Sequence, residues 1–347
     1  MQTITPSFSK KFGGKKVNVF RLVNKKGTEV IISNYGAIIL SFKIKKDNGS
    51  MIDIVLGFDK PEDYLDEKYL QQYPLFGAAV GRYGNRIKNG KIEIDGIKYQ
   101  LPVNIGSDHL HGGINGFDKK IWEVDSFDEE KNVLNLSLKS PDGDEGYPGN
   151  LDVSLSFTLN DNNELIYEYT ATTDKPTAVN LTHHSYFNLN NGKGRVDNHF
   201  ININASSILE QDENLTCNGH LINVAGTRFD FRKPHRMKEQ WGKEEGYDQS
   251  FVVDKKEGEL TWSAEAWSDE SKTKLEIATT EPVVHFYTGI WIPSVTGKEN
   301  TQYGPCSGFC FETQVHPNAI NIPSFPNTVL RPGEVYKQMT VYRISNL

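Results

Sequence analysis

Polar and apolar residues alternate along much of this chain, and this period of two constrains its fold more than any other feature. Between residues 151 and 159, Leu, Val, Leu, Phe and Leu occupy every second position. After the turn-forming sequence Asp161-Asn-Asn163, the alternation returns at Leu165, Tyr167 and Tyr169. Side chains on a strand point to opposite faces in turn. The two runs therefore predict a β-hairpin with one buried face.

The same pattern recurs throughout the sequence, which predicts an all-β protein. A second hairpin is indicated where Ile92–Ile94 and Ile97–Tyr99 flank Asp95-Gly96, a type I′ turn sequence. Further strands are predicted over residues 28–33, 38–45, 51–57, 134–138, 200–204, 274–279, 283–292, 308–315 and 336–344. Helical periodicity is scarce. It is best at residues 61–73, where Pro61 suits a first helical position.

Composition and charge exclude several classes of protein. No Pro- or Gly/Ser-rich linker divides the 347 residues, so we expect one large sandwich-type domain over residues 1–347. The net charge of −7 comes without a basic block, so neither nucleic acid nor a membrane surface is an expected partner. Three cysteines exclude a disulfide framework. No signal-like or membrane-spanning run is present, which favours the cytoplasm, although a processed secreted chain would share these features.

The densest group of polar and aromatic side chains is the stretch 180–189, Asn-Leu-Thr-His-His-Ser-Tyr-Phe-Asn-Leu. If it is extended, His184, Tyr186 and Asn188 share one face, while residues 183, 185 and 187 share the other. Every polar group on such a face needs a partner when it is buried. The face suits a hydroxyl-rich ligand better than an apolar core, but an isolated His-His pair is also typical of one core and one surface histidine.

Four further stretches combine polar residues with glycine. They are Gly-Arg-Tyr-Gly-Asn-Arg at 81–86, His-Leu-His-Gly-Gly at 109–113, Gly-Tyr-Asp-Gln-Ser-Phe at 246–251 and Gly-Phe-Cys-Phe-Glu-Thr-Gln-Val at 308–315. If the second is extended, His109 and His111 lie on one side. In the last, Glu312 shares a face with Cys310 and Gln314. Taken alone, a carboxylate in the middle of a strand predicts a solvent-facing side chain.

These stretches supply carboxylates, imidazoles and a guanidinium: Glu312, His184, His111, Asp248 and Arg86. A zinc site could use the histidines, but their spacing is loose beside the known helical zinc signatures. A glycosidase could use Asp248 and Glu312 as its two carboxylates. A proton-shuttling isomerase needs one base and one acid that titrate near neutrality, which Glu and His supply. Spacing alone leaves the glycosidase and the isomerase both open.

In their order and separation, these stretches resemble the aldose 1-epimerase family, the galactose mutarotases. The resemblance runs from about residue 12 to the C-terminus and is carried by residues 56–65, 84–87, 110–113, 142–149, 180–189, 230–232, 247–248 and 311–314. It implies a large antiparallel β-supersandwich. It also implies an active site in an open cleft, without metal or other cofactor, that interconverts the α and β anomers of free hexoses such as galactose and glucose.

The resemblance also implies a role for each matching residue. Glu312 would be the general base that removes the proton from the anomeric hydroxyl. His184 would be the general acid that protonates the ring oxygen, so that the ring opens and then closes again as the other anomer. The sugar hydroxyls would be held by His111, Asp248, Arg86 and Asn85.

Specificity is less well determined by the resemblance. Tyr186, Phe286 and Tyr287 are expected to face the apolar sides of the sugar. Residue 249 is Gln where the family commonly has His, and residue 285 is His where it usually has Gln. These two departures leave the preferred hexose open.

Three alternatives to the epimerase remain. A carbohydrate-binding protein on the same fold would need neither a base nor an acid. An epimerase of hexose 6-phosphates would need a cationic pocket, for which only Arg82 and Arg86 lie near the expected site. A glycosidase would release sugar from an oligosaccharide. In each case the expected partner is a small-molecule sugar, and the expected assembly is a monomer or a homodimer.

Overall fold

Antiparallel sheets account for nearly all the regular structure of the chain. The computed structural model describes residues 8–12, 14–241 and 245–347. The first sheet has five strands, in spatial order Phe8–Phe12, Lys15–Val23, Glu29–Ser33, Ile39–Lys45 and Met51–Asp53. Every strand in it pairs with its neighbour in sequence, so this part of the chain is a simple meander.

Two larger sheets form the body of the fold. The nine-stranded sheet has the order Glu123–Asp128, Val133–Ser140, Leu151–Leu159, Glu164–Thr173, Tyr336–Asn346, Thr273–Thr279, Thr261–Ser268, Phe200–Ile203 and His235–Arg236. The six-stranded sheet has the order Tyr186–Phe187, Phe309–Gln314, Val283–Tyr287, Asp248–Val252, Ser207–Gln211 and Cys217–Asn223. The C-terminal strand lies at the centre of the larger sheet, which ties the end of the chain to its middle.

Short elements connect these sheets. Two-stranded pairs join Arg86–Ile87 to His109–Leu110, Ala79–Val80 to Thr182–His183, Lys91–Ile94 to Ile97–Gln100, Thr177–Ala178 to Val329–Leu330, and Val295–Thr296 to Gln302–Tyr303. One α-helix covers Glu67–Gln72, and 3₁₀ turns cover Pro61–Leu65, Lys88–Gly90, Phe117–Lys119, Asp144–Gly146, Met237–Gln240, Lys298–Asn300 and Ala319–Asn321. No helix in the described ranges is both long enough and apolar enough to cross a membrane.

Both predicted hairpins are confirmed. Leu159 pairs with Leu165 at the end of the first, and Ile94 pairs with Ile97 at the end of the second. Asp95 and Gly96 have φ of 51° and 79°, as a type I′ turn requires. The predicted helix at 61–73 is divided, because Asp66 is extended (ψ 130°) between the 3₁₀ turn and the α-helix.

The core between the two large sheets fixes the strand that carries Glu312. Phe309 and Phe311 are fully buried, and their rings lie 5.3 Å apart. The Thr313 hydroxyl lies 3.2 Å from the Tyr167 hydroxyl of the facing sheet. These residues alternate with Cys310, Glu312 and Gln314, which therefore point away from this core, as the alternation predicts. A second, aromatic cluster that includes Tyr186 and Tyr287 packs on that other side.

Candidate active site

Glu312 lies on the second strand of the six-stranded sheet, opposite His285 on one neighbouring strand. Tyr186, on the other neighbouring strand, pairs with Cys310. Only 1% of Glu312 is exposed, so the solvent-facing position predicted for an isolated strand-centre carboxylate is wrong. The reason is that paired strands flank Glu312 on both sides and histidine-bearing loops cover its face. One carboxylate oxygen, Oε2, has no hydrogen-bond partner among the described residues.

His184 is the imidazole nearest to this carboxylate. Its Nε2 lies 3.5 Å from Glu312 Oε1, and its Nδ1 lies 3.5 Å from Cys310 Sγ. The ring is only 4% exposed and lies 4.9 Å from the ring of Tyr186. His183 points the opposite way and contacts Ser185 at 3.1 Å, so the predicted alternation along this stretch is confirmed. A carboxylate and an imidazole therefore face the same small space.

His111 approaches the same space from a tight loop. Its φ is 52°, so the segment is not extended there, and His109 instead contacts the Tyr147 hydroxyl at 2.7 Å. The predicted shared side of His109 and His111 is therefore wrong. The loop needs glycine at residue 112, because a Cβ there would lie 1.9 Å from the carbonyl oxygen of Gly81. This geometry brings the His111 ring to 5.2 Å from the His184 ring.

The protonation of His111 follows from its surroundings. Burial lowers its pKa well below the usual histidine value, and electrostatic interactions with His184 and Arg86 lower it further. The ring is therefore neutral near pH 7. The backbone N–H of Asn85 donates to His111 Nδ1 at 3.2 Å. That hydrogen bond leaves the proton on Nε2, so His111 offers a neutral N–H donor.

Asp248, Arg86 and Asn85 complete the predicted set. The Asp248 Oδ1 lies 2.9 Å from His285 Nε2. Burial would raise the Asp248 pKa, but the hydrogen bond from His285 and the charges of His285 and Arg86 outweigh it, so the pKa is lowered and Asp248 is ionised. The Arg86 guanidinium has no protein hydrogen bond in the described ranges. The Asn85 side-chain oxygen accepts the backbone N–H of Arg86 at 2.8 Å.

His111, His184 and Glu312 are also residue types that bind metal ions, so their spacing can be compared with that of a metal site. Donor atoms of His111, His184 and Glu312 all lie within 4.8 Å of one another. A tetrahedral zinc ion with bonds of about 2 Å needs donor atoms roughly 3.3 Å apart. His184 Nε2 and Glu312 Oε1, 3.5 Å apart, nearly meet this spacing, so the three residues could also hold a metal ion, and chelation tests that alternative.

The sequence matches the family model described as "Aldose 1-epimerase" over residues 18–343. It is 41% identical to a galactose mutarotase of Rattus norvegicus and 40% identical to that of Homo sapiens, each over 96% of this chain and 95% of the relative. It is 35% identical to an aldose 1-epimerase of Escherichia coli, over 95% of this chain and 96% of that protein. The chain belongs to the aldose 1-epimerase family. It is therefore an isomerase that acts on sugars.

Solved structures agree with this assignment and confirm the predicted fold class. An aldose epimerase homologue from C. elegans superposes with a TM-score of 0.88 at 32% identity, covering 95% of this chain and 99% of that chain. A galactose 1-epimerase from Lactobacillus acidophilus gives a TM-score of 0.83 at 28% identity, with 97% of each chain covered. The fold is thus the mostly β, antiparallel architecture of the galactose mutarotases.

In this aldose 1-epimerase family member, two sequence-based expectations about the site's surroundings need correction. Phe286 does not face the site: it is fully buried on the core side, with its ring 5.6 Å from that of Phe311. Tyr186 and Tyr287 do lie on the site side, with ring centroids 6.0 Å apart. Arg82 is 2% exposed and fully engaged with other backbone and hydroxyl groups, so it is a structural residue and not part of a cationic pocket.

Sequence reasoning assigned no site role to three residues that contact the predicted set or are linked to it by hydrogen bonds. Cys310 touches His184, while His285 and Ser250 extend from Asp248 in a line of hydrogen bonds. Alternation did place Cys310 on the face of Glu312, and alternation from Asp248 could have placed Ser250 on the site face. His285 follows only from the strand register that sets it opposite Glu312, which no pattern within one strand reveals.

Proposed function

We propose that this enzyme interconverts the α and β anomers of free hexoses such as galactose and glucose. The observation that carries the proposal is the 3.5 Å approach of His184 Nε2 to Glu312 Oε1 inside a buried, polar-lined face. The anomeric hydroxyl and the ring oxygen of a hexose are bonded to the same carbon. A base and an acid this close together can therefore serve both oxygens of one sugar at once.

Each proton transfer has a named atom. A Glu312 carboxylate oxygen takes the proton of the C1 hydroxyl while His184 Nε2 donates a proton to the ring oxygen, which breaks the bond between C1 and that oxygen. The open aldehyde rotates about C1–C2. The two groups then act in reverse: His184 takes the proton back from the C5 hydroxyl as it attacks C1, and Glu312 returns its proton to O1. Both groups end as they began, so no cofactor is required.

The surrounding groups support substrate binding. The neutral N–H of His111 suits an oxygen that becomes more negative during ring opening. The free oxygen of Asp248 and the unpaired guanidinium of Arg86 suit the hydroxyls further round the ring, with Asn85 beside them. Tyr186 and Tyr287 supply apolar surface. We propose these contacts for a single-domain enzyme of the cytoplasm that acts as a monomer or a homodimer.

The rivals fit this geometry less well. An enzyme for hexose 6-phosphates needs a cluster of cations, and the engagement of Arg82 leaves Arg86 as the single arginine among the residues proposed to bind sugar. In a glycosidase, one of the two carboxyl groups, Asp248 or Glu312, would have to donate a proton to the leaving group. The lowered pKa of Asp248 keeps it ionised and unsuited to that role.

Polarimetry of freshly dissolved α-D-galactose and α-D-glucose tests the proposal. Wild-type protein should accelerate the approach to equilibrium rotation, and Glu312→Gln should lower kcat by about 10²–10⁴. His184→Asn should cause a loss of similar size. Glu257→Gln, on an exposed loop, is the matched control and should behave as wild type. Normal rates for Glu312→Gln would overturn the base assignment, and a wild type without effect on either sugar would overturn the function.

A further inference from the structure

His285 is a buried imidazole with both ring nitrogens engaged by neighbouring side chains. Nε2 lies 2.9 Å from Asp248 Oδ1, and Nδ1 lies 2.8 Å from Ser250 Oγ. Both partners stand on the adjacent strand, two residues apart, where Ser250 is directly opposite His285. Because neither nitrogen is free, His285 has no atom left to bind a sugar hydroxyl. It acts on the site through Asp248.

The hydrogen bonds hold His285 in place in either protonation state. A serine hydroxyl can accept from a protonated Nδ1 or donate to an unprotonated one. In both states the Nε2 proton faces the Asp248 carboxylate. The Ser250–His285–Asp248 line therefore fixes where the carboxylate points, and one carboxylate oxygen remains for a ligand.

Charged groups surround this ring on several elements. Glu312 is directly opposite on the next strand, Asp248 is on the other side, and Arg86 and His111 approach from the loops. Burial lowers the pKa of His285, and the positive charge of Arg86 lowers it as well. The hydrogen bond to Asp248 and the negative charges of Glu312 and Asp248 raise it. The raising effects are larger, so the pKa of His285 is raised. The imidazolium form of His285 is therefore favoured more than that of a free histidine, and the ring lies between two carboxylates.

We propose that His285 is a positioning residue that sets two properties of the reaction. Its hydrogen bond orients Asp248 toward the sugar and so sets sugar affinity, and its positive charge keeps Asp248 ionised and so sets the lower pH limit of turnover. The inference rests on the proposed function for its kinetic consequences. The hydrogen-bonded ion pair itself does not depend on that function.

Two substitutions separate the hydrogen bond from the charge. In His285→Gln the amide N–H can take the place of Nε2–H toward Asp248, but the positive charge is lost. In His285→Ala both are lost. The hydrogen bond and the charge of His285 both lower the pKa of Asp248, so loss of the charge makes protonation of Asp248 easier. The acid-side limb of the kcat/KM profile should therefore move to higher pH by about one unit in both variants.

The two variants should differ in KM. His285→Gln should keep KM within roughly threefold of wild type, whereas His285→Ala should raise it roughly tenfold or more, because a hydrogen bond to a charged group is lost. Profiles from pH 5 to pH 9 would be recorded by polarimetry with α-D-galactose and α-D-glucose. His220→Gln, exposed on the edge strand Cys217–Asn223, is the matched control and should overlay wild type.

A second measurement needs no turnover. In protein labelled with ¹⁵N-histidine, long-range ¹H–¹⁵N spectra distinguish an imidazolium from a neutral ring, and the His285 signals are assigned by their loss in His285→Gln. We expect the imidazolium to persist above the ordinary midpoint of about 6.5, and to lose its proton at lower pH in Asp248→Asn.

The outcomes are separable. An unmoved acid limb in His285→Gln together with an unchanged KM in His285→Ala would overturn the proposal. So would a His285 ring that is neutral below pH 6. If wild-type protein fails to accelerate mutarotation, the proposed function falls, and the histidine spectra still decide whether the charged pair exists.

Discussion

Two arginines four residues apart in sequence should respond to the same substitution in opposite ways. Arg82 is fully engaged: Nε donates to Ser140 Oγ at 2.9 Å, and Nη2 donates to the carbonyls of Ser140 and Pro141 at 2.8 and 2.7 Å. Nη1 donates to Pro148 O and Thr177 Oγ1. Arg86 lies beside the site with a guanidinium that no described protein group binds. We expect Arg82→Lys to affect stability and Arg86→Lys to affect sugar binding.

The size of the first effect follows from these contacts. A lysine ammonium has no planar fork and can replace about two of the five hydrogen bonds. Each lost hydrogen bond to the charged group leaves a buried acceptor without a partner and costs about 1.5–3 kcal/mol. With about three bonds lost and partial relaxation of the surrounding structure, Arg82→Lys should lower the free energy of unfolding by about 3–5 kcal/mol. An unfolding entropy of about 2.1 cal/mol/K per residue gives roughly 0.7 kcal/mol/K for the chain. The melting temperature should then fall by about 4–7 °C.

Thermal melts and kinetics on the same samples check this prediction. Arg82→Lys should keep kcat and KM near wild type at 25 °C, well below its melting transition. Arg86 is half-buried and its guanidinium makes no hydrogen bond with the described protein groups, so its replacement should cost only about 0.5 kcal/mol. Arg86→Lys should therefore melt within about 1 °C of wild type but should raise KM. If Arg86→Lys were the less stable variant, or if Arg82→Lys changed KM and not stability, the distinction between a structural and a binding arginine would be wrong.

Three further predictions concern single features. Because Cys310 Sγ touches His184 Nδ1, Cys310→Ser should retain most of kcat while Cys310→Ala lowers it several-fold, and equal rates in both would remove Cys310 as a support for His184. Exhaustive chelation should leave activity intact, and its loss, with recovery on adding zinc, would revive the metal alternative. Burial raises the pKa of Glu281 to about 8, so this carboxyl destabilises the fold progressively as pH rises from its ordinary value toward 8. Glu281→Gln should therefore be more stable than wild type by about 2–4 kcal/mol at pH 8 and similar to it at pH 4, as urea unfolding at both pH values would show.

Local patterns predicted the elements of this fold because each pattern is decided within one segment. The hairpin at 151–169 needs only its own alternation and a turn, and the structure has the expected register. The strand around Glu312 likewise shows which residues face the core, since alternation is a property of the strand itself. The three cysteines are free and buried.

Burial and backbone handedness were not predictable in this way. Glu312 is buried because Tyr186–Phe187 and Val283–Tyr287 flank it and His184 covers it, and these neighbours come from other parts of the sequence. His111 leaves its strand at φ 52°, which follows from the close passage of Gly112 against Gly81 and not from its own sequence preference. Pairing across strands also decides that His285 meets Glu312.

Backbone hydrogen bonds between distant segments assemble the candidate site. His184 N–H donates to Ala78 O at 2.8 Å, Asn180 N–H donates to Arg82 O at 2.9 Å, and His111 N–H donates to Asn85 O at 3.1 Å. None of these bonds uses a side chain of the proposed acid or base. The positions of the reacting groups are thus fixed by main-chain pairing, which a substitution such as Glu312→Gln leaves unchanged. Loss of turnover in that variant therefore reports the missing base and not a displaced site.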